Sequence, residues 1–454
     1  MRARLLKIVD LLRTSFWFLP VMMAVGAVAL ALASVSLDEA VAGEWLRAQG
    51  WIYTTGTQGA STVLGTIAGS MITIAGVVFS LTLVSLSLAA SQFGPHLLRN
   101  FMRDTTTQVV LGTFVATFIY CLLVLRTIHG DESAVPHLSV NLGVVLAFAS
   151  LVVLIYFIHH VAISIQSDEV VANVATDLHE GIERLFPGRI GEELPPDEGQ
   201  ASDATLPDSF EEDSRTIEAN RDGYLQLIDR EAVLKTAIQA DLIIRFERRP
   251  GHYVIEGVPL MSVWPHDRVE DKVANRLHAA FVIGKQRTPV QDIEFAIEQL
   301  VEVAVRALSP SMNDPFTAIS CVDRLGSALC RLASRDAPSP YRFDDAGDLR
   351  VVAPGPSFPD ITDTAFDQIR QNARSNAAVT IRLLEAIALV ATAADRPEDR
   401  AALRRHADMI LRGAREALPE QEDRAIAEAR YRAVERALGK SHSEETTGET
   451  VQDA

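Results

Sequence analysis

The amino-acid sequence predicts an α-helical integral membrane protein with about four transmembrane helices, followed by a mainly helical cytoplasmic α+β region that contains a small β-module. Two observations predict this class. Four long apolar runs lie ahead of residue 165, whereas the excess of acidic residues, 59 Asp plus Glu against 42 Lys plus Arg in the whole chain, lies almost wholly after it. Because 454 residues are too many for one ordinary core, this change in composition marks a division between a membrane part and a soluble part.

The four apolar runs cover residues 15–37, 61–91, 108–128 and 138–165. A helix rises about 1.5 Å per residue, so about twenty residues cross a hydrocarbon core about 30 Å thick. The runs lack the alternation of barrel strands, and lipid offers peptide groups no other partner. Residues 1–165 are therefore predicted to form a helical transmembrane domain. The first run is longer than the apolar core of a cleaved signal peptide, so it is interpreted as a membrane anchor.

Basic residues near the ends of the runs predict the orientation of the chain. On one side of the membrane they are Arg2, Arg4, Lys7, Arg13, Arg99 and Arg103. The other side has only Arg47 and Arg126. Because Lys and Arg are enriched in cytoplasmic loops, both termini are predicted to be cytoplasmic.

A helix break follows the second run. Gly94 and Pro95 are predicted to end the helix, because proline cannot continue it. The stretch "HLLRNFMRD" that follows alternates apolar and basic residues in a pattern typical of an amphipathic segment at the membrane surface. It is predicted to lie along the inner leaflet as a membrane elbow, with Arg99 and Arg103 towards the headgroups.

Small and hydroxyl residues recur along the second run at spacings of three, four and seven. They are Thr66, Gly69, Thr73, Gly76, Ser80 and Ser87. This spacing places them on one stripe of a helix. Two interpretations stay open: close helix packing, or a hydrated path made by the four spans or by several copies of them. Because the run contains no Asp, Glu, Lys or Arg, a passive path is favoured over a pump.

Beyond residue 165 the sequence predicts five segments. They are a helical extension of the fourth span at 166–189, an acidic linker at 190–217, a small α+β module at 218–268, a mainly helical domain at 269–439 and a disordered tail at 440–454. The module is predicted from a strand, a helix and two strands around the turn Pro250-Gly251. This turn resembles half of a biotinyl or lipoyl barrel-sandwich hybrid, but no lysine occupies a tip position, so no cofactor is predicted.

Asn313 and Asp314 lie in the motif "SPSMNDPFTA" between two predicted helices. Asp followed by Pro315 is typical of a helix N-cap with proline in the first turn. The alternative is that both side chains present oxygens to a ligand or ion at the helix start. The capping interpretation accounts for the residues without a ligand.

Two further groups of polar residues are interpreted as structural. Glu302 and Arg306 have the spacing of an ion pair on a solvated helix face, which disfavours acid–base chemistry there. His159 and His160 point about 100° apart on a helix, so a metal site with Asp168 is not predicted.

Composition and motifs also limit the class of function. An acidic chain cannot hold nucleic acid through phosphate contacts, so a nucleic-acid partner is not predicted. Cys121, Cys321 and Cys330 lack metal-ligand spacing, and a reducing compartment is the simplest interpretation. The sequence shows no nucleophile elbow, metal-ligand constellation or phosphate-binding glycine loop, so it is not predicted to be an enzyme.

Several stretches taken together identify a family resemblance. They are "AGSMITIAGVVFSLTLVSLSLAASQFGPHLLRNFMRD", "GTFVATFIYCLLVLRTI", "RPGHYVIEGVPL" and "RALSPSMNDPFTA". In this order they resemble an uncharacterised bacterial family of predicted integral membrane proteins, the domain of unknown function DUF2254. The resemblance implies an inner-membrane location and a large soluble portion, and it brings no catalytic residues.

Two hypotheses of function follow. The first is an oligomeric channel-like or transport protein, in which the polar stripe conducts and the cytoplasmic region regulates. The second is a membrane-anchored sensor or scaffold whose cytoplasmic region binds a partner or ligand. The partners predicted are the lipid bilayer, further copies of the chain, and an ion or small ligand.

Overall fold

The computed structural model describes residues 17–40, 56–94, 104–128, 135–164, 166–186, 205–336 and 338–439. The chain divides into two compact units, Met1–Glu169 and Val170–Ala454. The division falls close to residue 165, where the composition of the sequence changes.

Four helices in the described part of the first unit are long and apolar enough to cross a membrane. They are α1 (Phe18–Ala40), α2 (Thr57–Phe93), α3 (Thr105–Thr127) and α4 (His137–Ser164). They correspond one to one with the predicted spans. With 37 residues, α2 is about 55 Å long, so it exceeds the thickness of a hydrocarbon core of about 30 Å.

α3 is the central helix of this unit. It packs against α1, α2 and α4. In its most apolar stretch 44% of the residues are buried, compared with 17% in that of α2. Large side chains that are fully buried at the centre are Leu64, Phe114, Tyr120 and Phe157. A larger part of the α2 surface than of the α3 surface is therefore exposed and not packed against the other helices.

The second unit begins within α5 (Ser167–Leu185). α4 ends at Ser164 and α5 begins at Ser167, so the predicted extension of span four is assigned as a separate helix. Its buried apolar face is Val170, Val171, Val174, Leu178 and Ile182. Arg335 anchors the end of α5 by donating to the Phe186 carbonyl oxygen at 2.6 Å.

Two β-sheets with helices form the first part of the second unit. The elements are β1 (Arg215–Glu218), β2 (Gly223–Ile228), α6 (Arg230–Ala240), β3 (Ile243–Phe246), β4 (Tyr253–Val254), β5 (Pro259–Trp264), α7 (Asp271–Ala279), β6 (Phe281–Gly284), β7 (Tyr341–Phe343) and β8 (Leu349–Val352). The described strands form one sheet with the order β1-β5-β3-β8-β7 and another with the order β4-β2-β6. β3 and β8 pair in parallel, and the other pairs are antiparallel.

This arrangement differs from the predicted module in three ways. The segment predicted as an acidic linker contains Phe210, which is buried, and ends in β1, which pairs with β5. Around Pro250-Gly251 the predicted pair of strands is present as β3 and β5, but the short strand β4 between them pairs with β2 in the other sheet. The sheets also extend past the predicted boundary at residue 268, since they include β6, β7 and β8.

Helices form the rest of the second unit. They are α8 (Ile293–Ala307), α9 (Pro315–Ala333), α10 (Phe358–Asn372), α11 (Ala377–Ala393), α12 (Pro397–Ala417) and α13 (Gln421–Gly439). α8 buries Ile293, Ile297, Leu300, Val301 and Ala304, as its sequence pattern predicts. The structure confirms a mostly helical chain with a C-terminal α+β region. The predicted tail at 440–454 lies outside the described residues.

Candidate functional site

The polar stripe of α2 lies on the surface of the first unit. Its residues Thr66, Gly69, Thr73, Gly76, Ser80 and Ser87 are all exposed. The opposite face of the same helix is buried and consists of Ala60, Leu64, Ala68, Met71, Ala75 and Val78. α2 therefore binds its neighbours through an apolar face and presents the stripe outwards.

The glycines of α2 show that no described part of the chain covers this stripe. A Cβ atom built on Gly69 or Gly76 meets no other atom within 4 Å. A Cβ atom on Gly143 of α4 would lie 2.9 Å from the Leu64 side chain, and one on Gly112 of α3 would lie 3.2 Å from the Pro20 backbone. Close packing between helices thus uses Gly112 and Gly143, while the α2 glycines have no partner among the described residues.

Hydroxyl groups on the stripe bond to their own helix. Thr66 donates to the Thr62 carbonyl at 2.7 Å, Thr73 to Gly69 at 2.8 Å and Ser80 to Gly76 at 2.9 Å. Each donor is satisfied, and each hydroxyl oxygen keeps acceptor capacity on the exposed side. These three hydroxyls can therefore lie in a membrane without a lost hydrogen bond and can still accept bonds from water or contact a cation.

A polar network joins the other three helices at one end. Asp38 of α1 accepts hydrogen bonds from the Leu138 and Ser139 backbone N–H groups of α4 at 2.9 and 2.8 Å, and from the Ser139 hydroxyl at 2.6 Å. The buried Tyr120 hydroxyl of α3 donates to the Ser139 carbonyl at 3.0 Å and lies 3.0 Å from the Ser34 hydroxyl. These residues were not predicted as functional, although an Asp at the end of an apolar run is a visible signal.

The predicted elbow is described only at its first residue. Gly94 ends α2 with φ at +112°, a conformation that L side chains rarely adopt. Pro95, Arg99 and Arg103 lie outside the described residues.

His160 pairs with a residue that the sequence analysis did not consider. Its Nε2 lies 2.9 Å from Asp104 Oδ2, and Asp104 also caps α3 by accepting from the Thr106 and Thr107 backbone N–H groups. Within the described ranges, no cluster of three or more His, Cys, Asp or Glu could hold a metal ion. The contact therefore joins the start of α3 to the end of α4.

Asn313 and Asp314 lie at the start of α9. Asp314 accepts a hydrogen bond from the Thr317 backbone N–H at 3.2 Å, as an N-cap does, and Asn313 has φ at +47°. On α8, Glu302 and Arg306 form an ion pair at 3.3 Å. These geometries account for all four residues as local structure.

A cleft of about 400 Å³ opens in the second unit. Its walls come from the end of α5, the junction of β2 and α6, the turn after β3, the start of α8, and the segments around β7 and β8. A volume of this size matches a site for a small molecule. The sheets bring these segments together, although they are separated by more than 150 residues of sequence between Phe186 and Arg342.

Three arginines of the cleft, Arg230, Arg248 and Arg342, have no carboxylate partner among the residues that the structure describes. Arg342 donates to the carbonyl oxygens of Ser339 and Tyr341. Unpaired guanidinium groups in a cleft are suited to bind an anion, because each presents several donors in a fixed plane.

Most carboxylates of the cleft are already paired with arginines. The pairs are Glu247 with Arg245 at 2.9 Å, Asp292 with Arg287 at 2.8 Å and Glu294 with Arg249 at 2.9 Å. The Asp292 side chain is only 1% exposed, and Arg287 compensates its charge inside the protein. Besides these pairs, the lining carries three arginines without carboxylate partners within the described ranges and one further acid, the exposed Glu231, so the charge of the cleft is net positive.

Burial and the neighbouring arginines shift the pKa values of two groups in the cleft. Burial lowers the pKa of His252, and the Arg249 and Arg248 cations lower it further. Desolvation in the cleft and the nearby Arg342 cation lower the pKa of Arg230, although solvent still reaches its side chain. The Nε atom of Arg249 is buried and has no hydrogen-bond partner in the described chain. A bound anion would offset the repulsion between Arg230 and Arg342 and the effect of the arginines on His252.

The turn that carries Arg248, Arg249 and His252 packs closely against Asp292. Gly251 has φ at +99°, and a Cβ atom there would lie 2.4 Å from the Asp292 carboxylate. The same carboxylate accepts from the Phe295 backbone N–H at 3.1 Å and so caps α8. Gly251 therefore allows the basic turn and the start of α8 to form one rim of the cleft.

The cleft was not predicted from the sequence. One signal was present, since "ERRPGHY" places consecutive arginines and a histidine at a turn in an otherwise acidic region. Arg342 and Arg230 could not be joined to that turn, because the sheet pairing that brings them near is long-range and partly parallel.

Comparison with known proteins identifies relatives but no activity. The family described as "Predicted membrane protein (DUF2254)" matches residues 13–389. An uncharacterised protein of Mycobacterium bovis is 34% identical over 385 residues, which cover 82% of this chain and 71% of the relative. Uncharacterised proteins of two Mycobacterium tuberculosis strains match with the same identity and coverage. No solved structure matches the chain.

Proposed function

Because the chain belongs to the DUF2254 family of predicted membrane proteins, as its sequence motifs indicated, we propose that it acts in the membrane as an oligomeric, channel-like protein. In this proposal, copies associate around α2, and the exposed stripe of α2 lines a passive path. The proposal puts both termini and the second unit in the cytoplasm of a bacterial cell, and the distribution of basic residues supports this orientation. The function requires no reaction on a substrate.

The observation that carries this proposal is that α2 turns its small and hydroxyl residues away from its own unit. Elsewhere in the unit, the exposed surface of α4 is bulky and apolar, with Phe148, Val152 and Ile155 each at least 65% exposed. Lipid chains suit such a surface. A stripe of small residues instead suits a closely approaching helix or a column of water, and both require further copies around α2.

A flux measurement in liposomes tests conduction. Full-length protein should pass K⁺ faster than Cl⁻, because the stripe presents hydroxyl oxygens, which are acceptors. The double substitution Thr73→Leu with Ser80→Leu should reduce K⁺ flux severalfold by filling the path with apolar side chains. Ala149→Leu on the exposed face of α4 adds similar bulk elsewhere and should leave the flux unchanged. Equal flux in all three proteins would contradict the proposal that the stripe lines a path.

Cross-linking tests the association of copies through α2. Thr73→Cys should form disulfide-linked dimers under mild oxidation in native membranes, whereas Ala149→Cys should not. The native cysteines interfere little, since Cys121 and Cys321 are buried, and the half-buried Cys330 can be replaced by serine in both variants. Dimers that form equally at both positions would indicate random collision and would contradict the proposed interface.

The cleft of the second unit favours a second candidate function, a membrane-anchored sensor or scaffold. Its three unpaired arginines provide a binding site that a purely structural unit does not need. Tagged full-length protein isolated from membranes should then carry a partner or ligand, and Arg230→Gln with Arg342→Gln should release it. Recovery of the same components with both proteins would count against this function.

A further inference from the structure

We infer that the cleft of the second unit binds an organic phosphate, that is, a phosphate monoester attached to an apolar or aromatic body. The inference rests on the second candidate function and does not depend on conduction. Its observations are the unpaired arginines, the paired state of the neighbouring acids and the composition of the cleft walls.

The charges of the cleft match a phosphate dianion. Arg230, Arg248 and Arg342 lack carboxylate partners, and three oxygens of a phosphate monoester can accept hydrogen bonds from separate guanidinium groups. A carboxylate carries one charge and two oxygens, so it would leave part of this donor set unused. Asp292 and Glu294 do not oppose the anion, because each is paired with its own arginine, and the one further acid, Glu231, is outnumbered by the three arginines.

The apolar walls of the cleft are the reason to expect a ligand with an apolar or aromatic body. Ile228, Phe246, Ile293 and Val351 are buried residues that also line the cleft, and Pro354 and Pro356 line it close to β8. A volume of about 400 Å³ is larger than an inorganic phosphate needs. The ligand should therefore bind through both its charge and its body, and neither alone should suffice.

Full-length protein in phosphatidylcholine nanodiscs provides the test, with 1-naphthyl phosphate as the probe and calorimetry as the measurement. We expect a Kd below about 1 mM for this probe and at least about tenfold weaker binding of inorganic phosphate and of 1-naphthol. Binding should also weaken as salt rises from about 50 mM to about 500 mM, since the arginines are partly exposed. No detectable binding of 1-naphthyl phosphate at low salt would overturn the inference.

Substitutions then assign the binding to the cleft. Arg230→Gln with Arg342→Gln should weaken 1-naphthyl phosphate binding by about tenfold or more, because charge-assisted hydrogen bonds are lost. Arg415→Gln removes an exposed arginine of α12 that pairs with Glu428, and it should leave Kd unchanged. Equal binding by both variants would place the ligand elsewhere. If the double variant unfolds, Arg230→Lys with Arg342→Lys keeps the charge and should still weaken binding by losing the planar donors.

A competition experiment separates two sources of the phosphate. Nanodiscs that contain phosphatidic acid should leave 1-naphthyl phosphate binding unchanged if the ligand is a soluble phosphate ester. Reduced binding in those nanodiscs would assign the same site to a lipid headgroup. Loss of partner capture with retained probe binding would overturn the scaffold function alone, while loss of probe binding with retained capture would overturn the organic phosphate alone.

Discussion

The hydroxyl groups of α2 and those of the other three helices in the first unit differ in their partners. In α1, α3 and α4 some of them bond between helices, as Tyr120 does with Ser139 and Thr117 does with Ser150 at 3.1 Å, while others, such as Thr113, bond within their own helix. On the stripe of α2, Thr73 and Ser80 bond to their own backbone. The same residue types therefore hold the unit together on one side and leave an uncommitted polar surface on the other.

This difference separates residues that determine the fold from residues that are available for function. Interhelical hydrogen bonds in a membrane are each worth about 1 kcal/mol, so committed hydroxyls stabilise a single arrangement of helices. A hydroxyl bonded to its own helix adds little to that arrangement. Six small or hydroxyl residues lie on the exposed side of α2 beside the exposed Val77 and Val84, and a partner surface that contacts this side would account for them.

The second unit shows the same division among its charged groups. About half of its described arginines are paired with carboxylates, as Arg350 is with Asp241 and Asp344, and Arg382 is with Asp323. Arg230 and Arg248 of the cleft have no such partner in the described chain. The stripe of α2 and the cleft of the second unit are thus two places where several such groups lie close together, and each has a proposed function.

Substitution of glycine gives the largest expected contrast. Gly143→Leu should destabilise the first unit by about 3 kcal/mol, because its side chain would overlap Leu64, Tyr120 and Cys121 in a filled interior. Gly69→Leu should leave the stability of a single chain unchanged, since its side chain enters open space. Thermal unfolding in detergent, followed by intrinsic fluorescence, measures both variants.

The effect of Gly69→Leu on assembly should be larger than its effect on the stability of a single chain. Gly69→Leu is expected to reduce the fraction of oligomer in native mass spectrometry, because the small-residue surface is lost. If Gly69→Leu unfolds the monomer as strongly as Gly143→Leu does, then the stripe is packed within the chain and the comparison fails.

Removal of polar groups gives the next largest contrast. Asp38→Ala should cost about 2 kcal/mol, because it removes the acceptor of two backbone N–H groups and one hydroxyl at the start of α4. Ser80→Ala should change stability by less than about 0.5 kcal/mol, because its only described bond is to Gly76 of the same helix.

The same thermal measurement in detergent checks this pair. Asp38→Asn is a useful control, since it keeps part of the acceptor capacity and should lie between the two variants. Equal melting temperatures for Asp38→Ala and Ser80→Ala would show that the polar network does not stabilise the unit.

The sequence predicted the helices of both units well and the partners of polar side chains poorly. The four apolar runs and the apolar face of α8 depend on local periodicity, which one chain displays directly. The bond from Asp38 to Ser139 joins residues 101 positions apart, and the parallel pairing of β3 with β8 joins Ile244 to Val351. No periodicity encodes such distances. The prediction that residues 190–217 form a linker failed in its last part for the same reason, since the partner of β1 is the distant β5.

Histidines of the second unit make its stability depend on pH. His406 is fully buried, its Nε2 lies 2.7 Å from Asp363 Oδ1, and its Nδ1 has no partner among the described residues. Burial lowers the pKa of His406, and Asp363 only partly opposes this effect. Burial also lowers the pKa of three other histidines of the unit, which are His179, His252 and His278.

The sign of the pH dependence follows from these shifts. Because the pKa of His406 is lower in the folded chain than the value of about 6.5 in the unfolded chain, the unfolded chain binds more protons at pH values between the two. Stability is therefore full above about pH 6.5 and falls as pH decreases through that value. His406→Gln keeps a donor to Asp363 but does not titrate, so its melting temperature should fall less than that of the wild type between about pH 7.5 and about pH 5.5. A smaller decrease in melting temperature should remain in this variant, because His179, His252 and His278 still titrate. If the substitution left the slope unchanged, His406 would have to be protonated in the folded chain, and its buried Nδ1 would need a partner outside the described residues.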